Sequence, residues 1–182
     1  MDCEPGELNL NESTNFIFSD TNMDMQYNRM SSYDFNSANM LLTCFDVISP
    51  DFSPPGCSQA ALVALQYGEH WLKVPPEKYV ETKYKCADQM LKNVETIFPR
   101  LRNRIEEIEI ATPLTHLRYL GHPKGSIYGF TGVAKNSKFF IPTKSDIKGL
   151  FLAGASVGSG GFQPTLESGV SAARAVLKKL RA

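Results

Sequence analysis

The residues best placed to do chemistry sit in the run LFLAGASVGSGGFQPTLESG, where Gly154, Gly158, Gly160 and Gly161 surround Ser156. An apolar stretch, a glycine-rich turn and a helical pattern together bring backbone N–H groups toward a negatively charged ligand. Three chemistries compete for this run. A dinucleotide fingerprint needs G-x-G-x-x-G and an acid about 20 residues further on. Here GSGGFQ breaks the spacing, and nothing downstream supplies the acid. A nucleophile elbow needs G-x-S-x-G between a strand and its helix, and residues 154–158 read GASVG. That elbow would require its helix straight after Ser156 and a histidine downstream, but His70, His116 and His122 all lie upstream. The third chemistry is a cofactor contact made by a helix N-terminus, with Gly160 and Gly161 letting the backbone approach closely. Amides around Phe162, Thr165 and Leu166 would then lack intrahelical partners and carry the positive end of the dipole. A glycine-packed crossover from strand to helix, with no ligand at all, uses the same spacing, and spacing alone leaves both readings open.

Other residues with reactive side chains have plainer explanations. His116 and His122 flank LRYLG, where a catalytic base is conceivable and a surface or capping role is the commoner one. Tyr128, in the SIYGF turn, could approach a cofactor, with packing the plainer role, and Glu167 answers the dipole of the last helix. Glu106, Glu107 and Glu109 alternate with isoleucines and face solvent. Met23, Met25, Met30 and Met40, with Phe16, Phe35 and Phe45, would line an apolar channel or fill an ordinary core. Cys3, Cys44, Cys57 and Cys86 show no C-x-x-C spacing, so no metal site is expected. They read as reduced thiols of a cytoplasmic protein, since the acidic, polar N-terminus has no signal-peptide pattern. The formal net charge is zero, which gives no electrostatic reason to expect nucleic acid.

These residues must be positioned by recognisable elements. After a polar, frayed first dozen residues, strands are expected over 15–19 and 39–48, with an irregular loop between them. A Pro-Gly break at residues 50–56 precedes an apolar run at 58–68, a helix or a buried strand by pattern, whose Pro-Gly and Gly bounds favour a third strand. Pro75 and Pro76 open a long helix whose apolar residues run from Tyr79 through Cys86 and Val94 to Ile97, ended by Pro99. Residues 103–113 read as a further strand. Thr112 then caps a short helix that begins at Pro113 and stops at Gly121. A buried strand over 149–156 and a final helix over 163–180 close the chain. The order is not a repeating β-α-β series and suits a mixed α+β fold.

PTKSDIKGLFLAGASVGSGGFQPTLESGVSAARAV resembles the C-terminal segment of FAD-dependent phytoene desaturase, carotenoid isomerase and retinol saturase-like oxidoreductases, within the amine oxidase-like flavoproteins. TPLTHLRYLGHPKGSIYGF is similar to the segment that precedes it, and SPPGCSQAALVALQY to a strand of their substrate domain. The resemblance implies a partial two-domain flavoprotein fold of the α+β class. Residues 1–110 would be part of a substrate-binding domain, a sheet with a long helix. Residues 111–182 would be the C-terminal strand–loop–helix of an FAD-binding domain whose N-terminal Rossmann half is absent from this sequence. It implies FAD as cofactor, held through Gly154, Ala155, Gly160, Gly161, Phe162, Gln163 and Pro164, with weak or no binding by this chain alone. Many relatives carry an acid where this chain has Ala155.

The resemblance further implies an apolar polyene or lipid-like substrate that is desaturated, saturated or isomerised, and peripheral membrane contact. It also implies a partner polypeptide carrying the other FAD-binding half. The alternative is a non-catalytic truncated or split product that acts by binding a partner.

Overall fold

In a computed structural model, residues 1–128, 141–157 and 161–181 are described. The chain forms two compact units, Met1–Thr115 and His116–Ala182. The described residues are of the α+β class, with a three-stranded antiparallel sheet and five α-helices.

The first unit is built on β1 (Thr14–Ile17), β2 (Met40–Cys44) and β3 (Ala60–Val63), paired in the order β1-β2-β3. Registers Ile17↔Met40 and Cys44↔Ala60 turn Ile17, Met40, Leu42 and Cys44 inward, where all four are buried. Alternation sends the opposite set outward, so Phe16, Leu41 and Val63 stand side by side on the other face. Helix α3 (Pro76–Glu95) packs Cys86 and Val94 into the core together with Trp71 of the short α2 (Gly68–Trp71). Tyr79, Met90 and Leu91 flank that stripe, while Val80 and Ile97 point to solvent.

Polar side chains fix the loops around this core. Gln89 Oε1 accepts from Phe35 N at 3.0 Å, and Asn93 Nδ2 donates to Phe35 O at 2.6 Å. These two side chains of α3 hold the buried Phe35 in place.

Three sequence expectations are corrected here. The first dozen residues are anchored: Cys3, Leu8 and Leu10 are buried, Ser58 Oγ donates to Cys3 O at 2.7 Å, and Arg104 pairs with Glu7 at 2.7 Å. Three apolar side chains in an otherwise polar stretch are enough to dock it. The expected loop after β1 holds a helix, α1 (Met23–Arg29). Asn22 caps it by accepting from Met25 N, and the buried Gln26 ties it to Ser37 O and Asn39 N. Residues 105–111 form no strand. Arg102 instead draws the chain into a 3-10 turn against Asp88, and Glu106, Glu107 and Glu109 are exposed with no neighbouring strand paired to them.

Helix α4 (Pro113–Leu120) starts as its sequence predicts, with Thr112 Oγ1 accepting from Leu114 N at 3.2 Å. In the second unit the long final helix, α5 (Phe162–Leu180), is present. The buried strand expected before it is not. Phe151 makes one antiparallel bridge to Lys144, and Val157 one parallel bridge to Ile141. Single bridges cannot hold an extended ladder, and Leu150 is left exposed.

Candidate functional site

The expected site residues lie around the start of α5. Backbone geometry there explains why glycine occupies two of the positions. Gly161 is the residue before the helix, with φ 124° and ψ 167°, a region essentially closed to side-chain-bearing residues. Gly154 has φ 115°. A Cβ added at Gly154 would meet nothing within 4 Å, so that face of the backbone borders open space. Both glycines therefore answer a conformational demand, and Gly154 also leaves an approach free.

The turn between them is tied to the helix. Val157 N donates to Gly154 O at 3.0 Å, which closes residues 154–157. Ser168, buried one turn into α5, accepts from Gly154 N at 2.8 Å and donates to Thr165 O at 2.6 Å. Thr165 Oγ1 donates to Gly161 O at 2.8 Å. Ser168 and Thr165 are the positioning residues that sequence reading passed over. The signal available was two hydroxyls three residues apart in the first turns of an otherwise apolar helix.

Among the described residues no side chain caps the start of α5. Gly161 has no side chain, and Pro164 brings no N–H. The amides of Phe162 and Gln163 have no acceptor among the described residues and lie at the positive end of the dipole. Phe162 is 84% exposed and covers neither amide by burial. Glu167 lies within the same turns, held by Gln163 Nε2 at 2.7 Å. A carboxylate this close disfavours a multiply charged phosphate. It tolerates a neutral, electron-rich ligand edge that needs hydrogen-bond donors. Ala155, partly exposed, contributes no carboxylate.

Gly154, Ala155, Gly161, Phe162, Gln163 and Pro164 thus come together at one turn and one helix start, while Gly160 lies outside the described residues. Ser156 sits in the 154–157 turn. His122 is bound to Ser126 O at 2.9 Å, which fits its reading as a local turn residue. Tyr128 is exposed, with no ring contact among the described residues. His70, in the first unit, packs edge-on against Tyr33 and at a tilt against Trp71 and hydrogen-bonds Gln66 at 2.9 Å. Burial, with Lys73 nearby, pushes its pKa below the usual histidine value. That packing is structural. No cluster of three or more potential metal ligands occurs among the described residues.

Each unit also exposes an apolar surface. On α5, Leu166, Val170 and Leu177 are 60%, 50% and 51% exposed along one stripe. On the sheet, Phe16 and Val63 are exposed on either side of the half-buried Leu41. No helix of the described residues is long and apolar enough to cross a membrane.

Comparison with known proteins gives this arrangement a context. A model of the flavin containing amine oxidoreductases matches residues 25–177, well over half of the chain. The all-trans-retinol 13,14-reductase of Danio rerio is 25% identical over 197 residues, covering 98% of this chain and 32% of its own length. The enzyme of that name from Homo sapiens is 25% identical over 191 residues, covering 95% of this chain and 31% of its own. The chloroplastic prolycopene isomerase of Arabidopsis thaliana is 28% identical over 92 residues, half of this chain and 15% of its own. The chain therefore spans less than a third of the length of the curated retinol reductases it matches.

Proposed function

The chain belongs to the flavin containing amine oxidoreductase family, and from that premise we propose that residues 154–164 form one wall of an FAD site in an oxidoreductase acting on apolar polyenes. The observation that carries the proposal is the start of α5, which no side chain caps among the described residues. It holds two amides without an acceptor there, beside two glycines in conformations that only glycine adopts readily. Those features fit the electron-rich edge of a flavin ring, which needs donors and little charge. FAD, when bound, supplies the hydride chemistry, and the protein supplies position and electrostatics.

In this reading the amides of Phe162 and Gln163 donate to the ring edge, and Gly161 keeps the approach free of a side chain. Ser168 and Thr165 hold the turn in register. With Ala155 in place of an acid, this wall makes no carboxylate contact to a flavin hydroxyl. The adenosine-binding part belongs to sequence outside these 182 residues, carrying the G-x-G-x-x-G unit. The exposed stripe Leu166–Val170–Leu177 is the surface that such a polypeptide would cover. Burying each of those side chains would contribute roughly 1.5–3 kcal/mol.

The substrate proposal rests on the relatives' printed activities and on one surface. Retinol reductases match nearly the whole chain, whereas the isomerases match half of it, which favours saturation of a retinoid-like polyene. The outward row Phe16, Leu41 and Val63 is apolar enough to lie along such a molecule. Four free thiols fit a reducing compartment such as the cytoplasm.

The test is reconstitution. The chain is co-expressed with a polypeptide carrying the G-x-G-x-x-G unit of a retinol reductase relative. The proposal expects a complex that retains flavin and oxidises it, once reduced, with an apolar polyene. A complex that forms without flavin, or holds flavin that no polyene reoxidises, overturns it.

A further inference from the structure

The second unit carries a cluster of cations that the flavin reading does not use. Residues 144–151 make a short turn: Leu152 N donates to Thr143 O at 2.8 Å, and Ser145 Oγ donates to Ile147 O at 3.2 Å. Beside this turn run the last turns of α5. Between them lies a groove of about 330 Å³. Four lysines line it: Lys144, Lys148, Lys178 and Lys179. Arg174 and Arg181 continue the basic face next to Lys178, around a second depression of about 340 Å³.

None of these six cations is in an ion pair among the described residues. The local acid is Asp146, on the same turn. The C-terminal end of the helix adds about half a negative charge. Six positive charges outnumber the local negative charge, in a chain whose formal net charge is zero. The approach is close as well as charged. Lys179 Nζ lies close to the turn backbone, 3.4 Å from where a Cβ on Gly149 would stand. The same Nζ lies 5.9 Å from the centre of the Phe151 ring.

The groove also has an apolar lip, with Ile147 66% and Leu150 43% exposed. Four point charges suit a multiply charged phosphate better than a single carboxylate, which would leave most of them uncompensated. The lip suits hydrocarbon attached to that phosphate.

We propose that the groove between the 144–151 turn and the end of α5 binds a phosphate group joined to an apolar body. The lysines hold the phosphate, and Ile147, Leu150 and Phe151 hold the adjoining hydrocarbon. The ligand is either a soluble phosphorylated lipid-like molecule or the head group of an anionic lipid in a bilayer, and the experiment separates the two.

The full chain is titrated by calorimetry with dioctanoyl phosphatidic acid, below its micelle concentration, and with inorganic phosphate. It is also floated with vesicles of phosphatidylcholine, alone or mixed with phosphatidic acid. The structure predicts that the short-chain lipid binds more tightly than inorganic phosphate and that added salt weakens the binding. The pair Lys148→Glu and Lys178→Glu should weaken it by at least about tenfold. The pair Lys73→Glu and Lys78→Glu, on exposed lysines of the first unit, should leave it unchanged. Lys148→Gln with Lys178→Gln repeats the test without charge reversal, and the helical circular dichroism of each variant verifies the fold.

Flotation with mixed but not neutral vesicles identifies a bilayer head group. Binding of the monomeric lipid without flotation identifies a soluble ligand. Either result supports the site. Binding of neither, equal binding of inorganic phosphate, or equal loss in both variant pairs overturns it. No flavin enters these measurements, so their failure is separate from failure of the flavin reading.

Discussion

Replacing Gly161 by alanine isolates the helix start from everything else in the chain. At φ 124° and ψ 167°, Gly161 lies where a Cβ costs of order 1–3 kcal/mol. The cost comes from backbone conformation. The nearest atom to an added Cβ, Pro164 Cδ, would be at 3.4 Å, an ordinary contact. Gly169 provides the internal comparison, because it sits within the same helix with nothing within 4 Å of an added Cβ. There, alanine should stabilise the helix by roughly 0.5–1 kcal/mol through its better propensity. The two substitutions are chemically identical, one at the residue before α5 and one eight positions on within it, and opposite in predicted sign.

Hydrogen exchange resolved on peptides of Phe162–Leu180 reads the helix directly. Gly161→Ala should speed exchange in the first turns by about 5- to 150-fold, and Gly169→Ala should slow it by about 2- to 5-fold. If the first turns of Gly161→Ala exchange at the wild-type rate, the conformation assigned to this position is not the one the protein depends on. The argument for a glycine-built helix start then fails.

Three other perturbations follow from the same structure. Ser168→Ala removes the buried acceptor of Gly154 N and should cost about 1–3 kcal/mol, visible as faster exchange at residues 154–157 while α3 is unaffected. Of the four thiols, Cys3, Cys44 and Cys86 are buried, and burial pushes Cys86 up to about 11. A thiol reagent at mild pH should therefore modify Cys57 alone until urea unfolds the first unit, and rapid labelling of two or more thiols in the native chain would contradict this. His70 is held neutral, its pKa lowered by burial, so the unfolded chain binds its proton more readily than the folded one. Its contribution is full above the ordinary value of about 6.5 and is lost as pH falls through that value toward the lower folded one. The urea midpoint followed by Trp71 fluorescence should drop between about pH 7.5 and 5.5, and His70→Gln should flatten that drop.

What could be read in advance depended on how local the signal was. Helix α3 announces itself through Pro75, Pro76 and the spacing of Tyr79, Cys86, Met90 and Val94, all within one stretch of chain. Helices α4 and α5 follow for the same reason, from Thr112–Pro113 and from Gly161 with Pro164. β3 was legible because a Pro-Gly break and Gly68 limit its run to strand length. The two mistaken strands, at 103–113 and 149–156, had apolar residues but lacked pairing partners, and a strand is defined by neighbours that its own sequence does not contain. α1 was hidden because its determinants are polar: Asn22 as cap and Gln26 as a buried link to residues 37 and 39. At the candidate site the glycines were legible, while Ser168 was not, since a serine inside a helix shows its value only once Gly154 is seen folded back onto it. The lysine groove joins the 144–151 turn to the end of α5, and net charge alone conceals it.

The central claim is that the start of α5 faces flavin. Its most direct test is an amide-resolved NMR titration of the 182-residue chain with FAD up to millimolar concentration. Much of the affinity is expected to come from the adenosine-binding unit outside this sequence, so binding should be weak and in fast exchange. The account predicts shifts centred on Gly154, Ala155, Gly161, Phe162 and Gln163 that move progressively with FAD, and that are reduced in Gly161→Ala. Shifts confined to other residues, or none at these five at saturating FAD, would contradict the account.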